Sequence, residues 1–225
     1  MQQNQMLIGI IIPIKDRFEL VSQCFESIKK SVLIHNNIFF VLINDGSSDK
    51  RIKDLINNTA FGLCKVIRLK NKKPIGISNS LLIGFETAII NGANFLLNLD
   101  SDTIVKPNWL LEIISVYSNI KNLFGAVLTG FNTLTKDENT DRIRHPIKKE
   151  FNSYFEKESI GGINMFFNLE TYNFYIKPNL KLQGHWDWNV CKSGAKFYCT
   201  KPSVIQHIGI MQGTNLDNPD IAYDF

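Results

Sequence analysis

The chain has 225 residues, of which 44% are hydrophobic and 20% charged, and its 25 basic and 21 acidic side chains give a formal net charge of +4. That is enough material for one large core, and the balance is that of a globular chain rather than a disordered or fibrous one. The positive charge is spread along the sequence without a concentrated stripe or a known nucleic-acid motif, so no nucleic-acid partner is expected.

No apolar run reaches the roughly 18 residues of a membrane span. The longest near the start, residues 6–14, lacks a basic leader and contains Pro13, so it reads as a first strand and not a signal peptide. Cys24, Cys64, Cys191 and Cys199 form no C-x-x-C pair. With no export signal, reduced thiols and a cytoplasmic location are expected. The positive charge is compatible with peripheral contact at the inner face of a membrane.

The first half alternates between two periodicities. Residues 7–14 are β-branched and apolar and predict a strand. Leu20, Val21, Cys24, Phe25 and Ile28 recur at helical spacing within 18–30. A second strand is expected over 38–43, then a helix over 49–60 with Asp49 as N-cap. Residues 65–69 predict a third strand, and 77–90 a helix stopped by Asn91-Gly92. Residues 95–99 form a fourth strand, 108–120 a helix entered through Pro107, and 123–129 a fifth strand. Continuous apolar strands separated by helices imply a parallel sheet covered on both faces.

The second half is less regular. Residues 135–158 are polar and predict either a flexible excursion or a hairpin. Gly161-Gly162 leads into an apolar strand at 163–167, and a short helix is expected over 169–174. Gly184-His185-Trp186-Asp187-Trp188 opens another helix ending near Gly194, and 197–207 is extended. The sequence predicts one domain over 1–225, which changes character at about residue 130.

In such sheets ligands bind at the carboxyl ends of strands. Three polar clusters fall there: Lys15-Asp16-Arg17, Asn44-Asp45-Gly46-Ser47-Ser48-Asp49 and Asp100-Ser101-Asp102. Two carboxylates two residues apart beside a core are costly unless something binds them. A hard divalent cation takes oxygen ligands and bridges carboxylates to phosphates, which predicts a metal-diphosphate site. The structural alternative is a pair of loop aspartates, one of them capping the next helix.

The ordered set, from Pro13-Ile14-Lys15-Asp16-Arg17 through Asn44–Asp49, Asp100-Ser101-Asp102, Gly161-Gly162 and Trp186-Asp187-Trp188 to Gln206-His207-Ile208-Gly209, resembles the family-2-type inverting glycosyltransferases. The resemblance covers about residues 6–210. It implies a GT-A fold: a Rossmann-like, mostly parallel sheet flanked by helices, with a smaller mixed region on the acceptor side.

By this resemblance Asp45 reads the uracil imide, and Pro13 and Asp16 sit against base and ribose. Asp16 could equally cap a helix, and Asp45 could be a turn residue. Asp102 and His207 would ligate Mn²⁺ or Mg²⁺, while Asp100 holds the ribose or a metal-bound water and Ser101 lies with it on the donor side. Gly161 and Gly162 would line the donor sugar, Asp187 would be the general base, and Trp186 and Trp188 acceptor-side aromatics, unless one or both belong to the core. Two departures stand out. The acidic pair that many relatives carry before the base is His185-Trp186 here. The Arg-Asn pair of the third helix is Leu81-Leu82, so Lys72, Lys73 or Asn79 would have to supply the missing donor contact.

The expected function is metal-dependent, inverting transfer of one hexose or N-acetylhexosamine from a UDP-sugar to a hydroxyl of a glycan, glycolipid or glycoprotein. The alternative is a catalytically silent nucleotide-sugar or partner-binding module of the same fold. A nucleotidyltransferase is disfavoured by the lack of a Gly-rich loop after the first strand. The short stretch after His207 suggests single-sugar transfer, and its tail, 214–225, is either a lid or a partner contact. A homo-oligomer is compatible with all of these readings.

Overall fold

The computed structural model describes residues 6–33, 37–136, 142–209 and 222–225. Strand β1 (Ile8–Ile14) leads to α1 (Phe18–Lys29), β2 (Ile38–Asp45), α2 (Lys50–Asn58), β3 (Lys65–Asn71), α3 (Ile77–Ile90), β4 (Phe95–Leu99), β5 (Thr103–Val105), α4 (Trp109–Ser118) and β6 (Ala126–Thr129). The second half adds β7 (Ile147–Glu150), β8 (Tyr154–Lys157) and β9 (Asn164–Asn168). These are followed by α5 (Leu169–Thr171), a π-turn (Tyr172–Ile176), α6 (Lys177–Leu180), α7 (Trp186–Cys191), β10 (Lys196–Thr200) and β11 (Ile205–His207).

Nine strands form one sheet in the order β3-β2-β1-β4-β9-β6-β10-β8-β7, and β11 pairs with β5 separately. The β1–β2, β2–β3, β1–β4 and β6–β10 pairs are parallel, whereas β9 runs antiparallel to β4 and β6. The sheet is therefore α/β as expected, but its centre is mixed. A buried antiparallel strand such as β9 reads the same in sequence as a parallel one, because both faces are covered either way. The polar stretch 135–158 resolves in part into the β7–β8 hairpin. The excursion also contains residues 137–141, which lie outside the described set, as does most of the tail 214–225.

Alternation within the strands divides the core between the two faces. Ile8, Ile10, Ile12 and Ile14 of β1 join Phe40 and Leu42 of β2 against α1 and α4. Ile11 joins Val41 and Ile43 against Leu81 and Phe85 of α3. Burying each such side chain is worth about 1.5–3 kcal/mol, so two filled faces fix which strand ends lie side by side. The four cysteines form no disulfide. Among the described residues no helix is long and apolar enough to cross a membrane.

α3 packs on the sheet through Gly84. A methyl carbon there would stand 2.5 Å from Ile11 Cγ2 and 2.7 Å from Ile43 Cδ1. Gly84→Val is expected to lift the helix off β1 and destabilise the protein by about 1–3 kcal/mol, read as a lower denaturant midpoint.

Candidate active site

At the end of β1 the chain turns sharply. Asp16 and Arg17 are consecutive non-glycine residues in the left-handed region, at φ 55° and 57°. Each costs on the order of 1 kcal/mol, and the surroundings hold both in place. Asp16 Oδ1 accepts from Ser48 N at 2.8 Å, Ser48 Oγ at 3.0 Å and Asp49 N at 3.0 Å. The Asp49 N–H is the main reason the Asp16 carboxyl is held below its ordinary range. Asp16 thus ties the end of β1 to the loop that begins α2, while Asp49 caps that helix through Arg51 N at 2.9 Å.

Asp45, at the end of β2, is only 4% exposed. Its Oδ1 accepts from Asn71 Nδ2 at 2.8 Å and Ile75 N at 2.9 Å, and its Oδ2 from Gly76 N at 3.0 Å. Gly46, at φ 66°, lets the 73–74 backbone pass where a Cβ would lie 2.5 Å from Pro74 N. The Asp45 carboxylate therefore holds the loop into α3. Asn79 turns its amide back to the Ile75 carbonyl at 2.8 Å.

The end of β4 carries the charge cluster. Asp102 Oδ2 accepts from Arg17 Nη1 at 2.8 Å and lies 3.4 Å from His207 Nε2. His207 arrives because β11 pairs with β5, setting His207 opposite Thr103. Burial alone would raise the Asp102 carboxyl, but the His207 hydrogen bond and the His207 and Arg17 charges outweigh it and hold the group low. Asp100 goes the other way. Burial, and then the negative charges of Asp102 and Asp187, push it well above the usual carboxylate range.

A cation fits this place. A Cβ on Gly209 would stand 2.2 Å from Asp102 Oδ2 and 2.8 Å from His207 Nε2, so glycine keeps the space beside both groups open. Among the described residues no three His, Cys, Asp or Glu side chains form a closed cage. Mg²⁺ and Mn²⁺ suit an open set of this kind, in which substrate phosphate and water complete the shell.

Asp187 stands across the cleft, in the first turn of α7. Its Oδ2 accepts from Gly162 N at 3.1 Å and its Oδ1 from Trp188 N at 2.9 Å. A Cβ on Gly162 would meet Trp186 Cζ2 at 2.9 Å and Asp187 Cβ at 3.0 Å, so the close approach requires glycine. Gly162 is itself held by Asn98, whose Nδ2 donates to the Gly162 carbonyl at 2.7 Å and whose Oδ1 accepts from Met165 N at 3.1 Å. Of the two tryptophans, Trp186 is 5% exposed and belongs to the core, whereas Trp188 is 52% exposed.

Three cavities join into one trough. The first, about 480 Å³, is lined by Pro13, Asp16, Arg17, Asp100, Ser101 and Asp102. The second, about 430 Å³, shares Arg17, Asp100 and Asp102 with it and adds Gly161, Gly162, Asp187 and His207. The third, about 640 Å³, shares Arg144, His145, His185 and Asp187 with the second and includes Trp188. Most of the expected residues therefore come together. Asp45, Asn79, Lys72 and Lys73 are not among the residues that line these three cavities, and both lysines are exposed. The cation beside the acidic pair is Arg17. Its place in a strand-end cluster was the available signal for it, while Asn98 was hidden inside an apolar run.

With three protein donors on its carboxylate, Asp45 is expected to act mainly on stability. Asp45→Ala should cost about 1–3 kcal/mol in a denaturant titration.

A search of curated protein sequences finds no match. Among solved structures, the fold is similar to GalNAc-T7 crystallised with UDP, GalNAc and Mn²⁺, with a TM-score of 0.70 and 17% identity over 94% of this chain and 45% of that one. It is also similar to a 1–349 fragment of S. aureus TarS in complex with UDP-GlcNAc, with a TM-score of 0.61 and 12% identity over 86% of this chain and 56% of that one. The chain thus spans about half the length of these structures, and at such identities the likeness shows a GT-A-type fold. The sequence model described as glycosyl transferase family 2 matches residues 9–181, which takes in β1 through α6. The chain belongs to glycosyl transferase family 2.

Proposed function

We propose that this chain is the donor-binding and catalytic unit of an inverting, metal-assisted glycosyltransferase. It would move one hexose or N-acetylhexosamine from a UDP-sugar to a hydroxyl of a glycan, glycolipid or glycoprotein. The observation that carries this reading is the continuous trough, with the Asp102–His207–Gly209 cradle on one side and Asp187 on the other. The UDP, UDP-GlcNAc and Mn²⁺ in the titles of the similar structures support a UDP-sugar and a divalent cation.

In this reading the first cavity takes the nucleoside and the second takes the diphosphate and donor sugar. Bound at Asp102 and His207, Mn²⁺ or Mg²⁺ would stabilise the negative charge that grows on the diphosphate as the glycosidic bond breaks. Arg17, which lines both of these cavities, would offer its guanidinium to the diphosphate oxygens. The acceptor hydroxyl enters from the third cavity. Its oxygen bonds to the anomeric carbon as the bond to the β-phosphate oxygen breaks, and its proton passes to Asp187. UDP leaves with the bonding electrons.

Among the described residues, Asp187 is the only carboxylate lining the third cavity. One base and one in-line displacement suit inversion at the anomeric carbon. The Gly162 and Trp188 amides fix both carboxylate oxygens in orientation, which pre-pays part of the entropy of proton transfer.

Two substitutions test these roles. Asp187→Asn should lower transfer by about 10²–10⁴-fold in a UDP-release assay, with UDP affinity held within a few-fold; retained transfer would remove Asp187 from the mechanism. Asp102→Ala should abolish the Mn²⁺-dependent part of UDP binding in calorimetry. Unchanged metal-dependent binding would place the cation elsewhere.

A further inference from the structure

Of the five arginines, three have their guanidinium groups engaged within the protein. Arg17 pairs with Asp102, Arg51 with Asp49 and Glu19, and Arg68 donates to the Ile56 and Thr59 carbonyls. The other two, Arg142 and Arg144, have guanidiniums with no hydrogen-bond or ion-pair partner among the described residues. Both line the outer cavity beside Asp187, and Arg144 also reaches the second cavity.

The backbone that carries them is anchored. Arg144 N donates to the Thr135 carbonyl at 2.9 Å, the Arg144 carbonyl accepts from Ser159 Oγ at 3.2 Å, and Glu158 N donates to the Pro146 carbonyl at 2.9 Å. Ser159 Oγ also lies 2.9 Å from His145 Nδ1, and His145 Nε2 stands 3.7 Å from the Cβ position of Gly161. His185, directly before α7, lines the same cavity. Among the described residues, two guanidiniums and two imidazoles thus line one cavity with a single carboxylate, the candidate base. The exposed Trp188 ring, with Lys192 Nζ 5.3 Å from its centroid, adds an aromatic face.

From this arrangement we infer that the outer cavity is an acceptor subsite for a saccharide or polyol bearing an oxyanion close to the reactive hydroxyl. The proposal rests on the glycosyltransferase reading and deepens it by naming the acceptor class. Guanidinium groups bind phosphate and carboxylate oxygens in a bidentate fork, with hydrogen bonds about twice as strong as neutral ones. The aromatic face offers contact area to the apolar side of a ring. Anchoring the anion at Arg142 and Arg144 leaves a neighbouring hydroxyl to face Asp187, which an oxyanion itself could not do against like charge.

The test is a calorimetric titration of the full chain already loaded with UDP and Mn²⁺, so that the diphosphate place is filled. The probes are glucose 6-phosphate, glucuronate and glucose. At least one anionic probe should bind about tenfold or more tighter than glucose, with the advantage shrinking as salt is raised. In Arg142→Gln/Arg144→Gln the ratio of anionic to neutral affinity should fall to within about twofold. Tighter binding of glucose 6-phosphate would identify a phosphate-bearing acceptor, and of glucuronate a carboxylate-bearing one. Equal binding of all three probes, or a preference that survives the double substitution, would overturn the anionic subsite while leaving the enzyme reading in place. Failure of the chain to take up UDP and Mn²⁺ would overturn both.

Discussion

The site is organised around a single carboxylate oxygen. Asp102 Oδ2 receives Arg17 Nη1 at 2.8 Å and faces His207 Nε2 at 3.4 Å, and these partners lie 190 positions apart in the sequence. Arg17 stands at the end of β1 and His207 at the end of β11. Asp100 and Asp187 add negative charge in the same cleft. Burial first, and then the charges of Asp102 and Asp187, raise the Asp100 carboxyl well above its ordinary range. A concentration of charge at the edge of a core persists only where a counter-charge is supplied. In the proposed reading that counter-charge is a divalent cation carrying the diphosphate.

The rest of the architecture serves to keep that arrangement rigid. The packed sheet faces align the ends of β1, β2 and β4. Asp16 and Asp45, both at strand ends, spend their carboxylates on neighbouring loops. Asn98 connects the two sides of the trough: it holds Gly162, Gly162 holds Asp187, and Asp187 faces the acidic pair that follows β4. The proposed base is oriented by the backbone amides of Gly162 and Trp188.

Much of this was readable in the residues. Helix 77–90 came out with the bounds that its periodicity and Asn91-Gly92 predicted, and β1, β2 and β4 fell within a residue or two of theirs. The clustering of Asp16, Asp100, Ser101, Asp102, Gly161, Gly162, Asp187 and His207 also followed from their order along strand ends. Asp45 was less readable. A strand-end Asp aimed at a ligand and one satisfied by the amides of residues 75 and 76 have the same sequence, and only the path of that loop separates them. Asn98 and the direction of β9 were hidden for a related reason: a buried polar residue inside an apolar run signals a network without naming its partners. The basic lining contributed by 142–145 lay in a stretch without periodicity, where no pattern fixes what faces the cleft.

The central claim is that the trough takes a uridine diphosphate through a divalent cation held at Asp102 and His207. The measurement that meets it most directly is a calorimetric titration of the protein with UDP, with and without Mn²⁺, beside GDP, CDP and TDP. The account predicts binding that requires the metal and favours UDP over the other nucleotides. Absence of nucleotide binding with or without metal would contradict it, and would leave a family fold that serves to hold a partner.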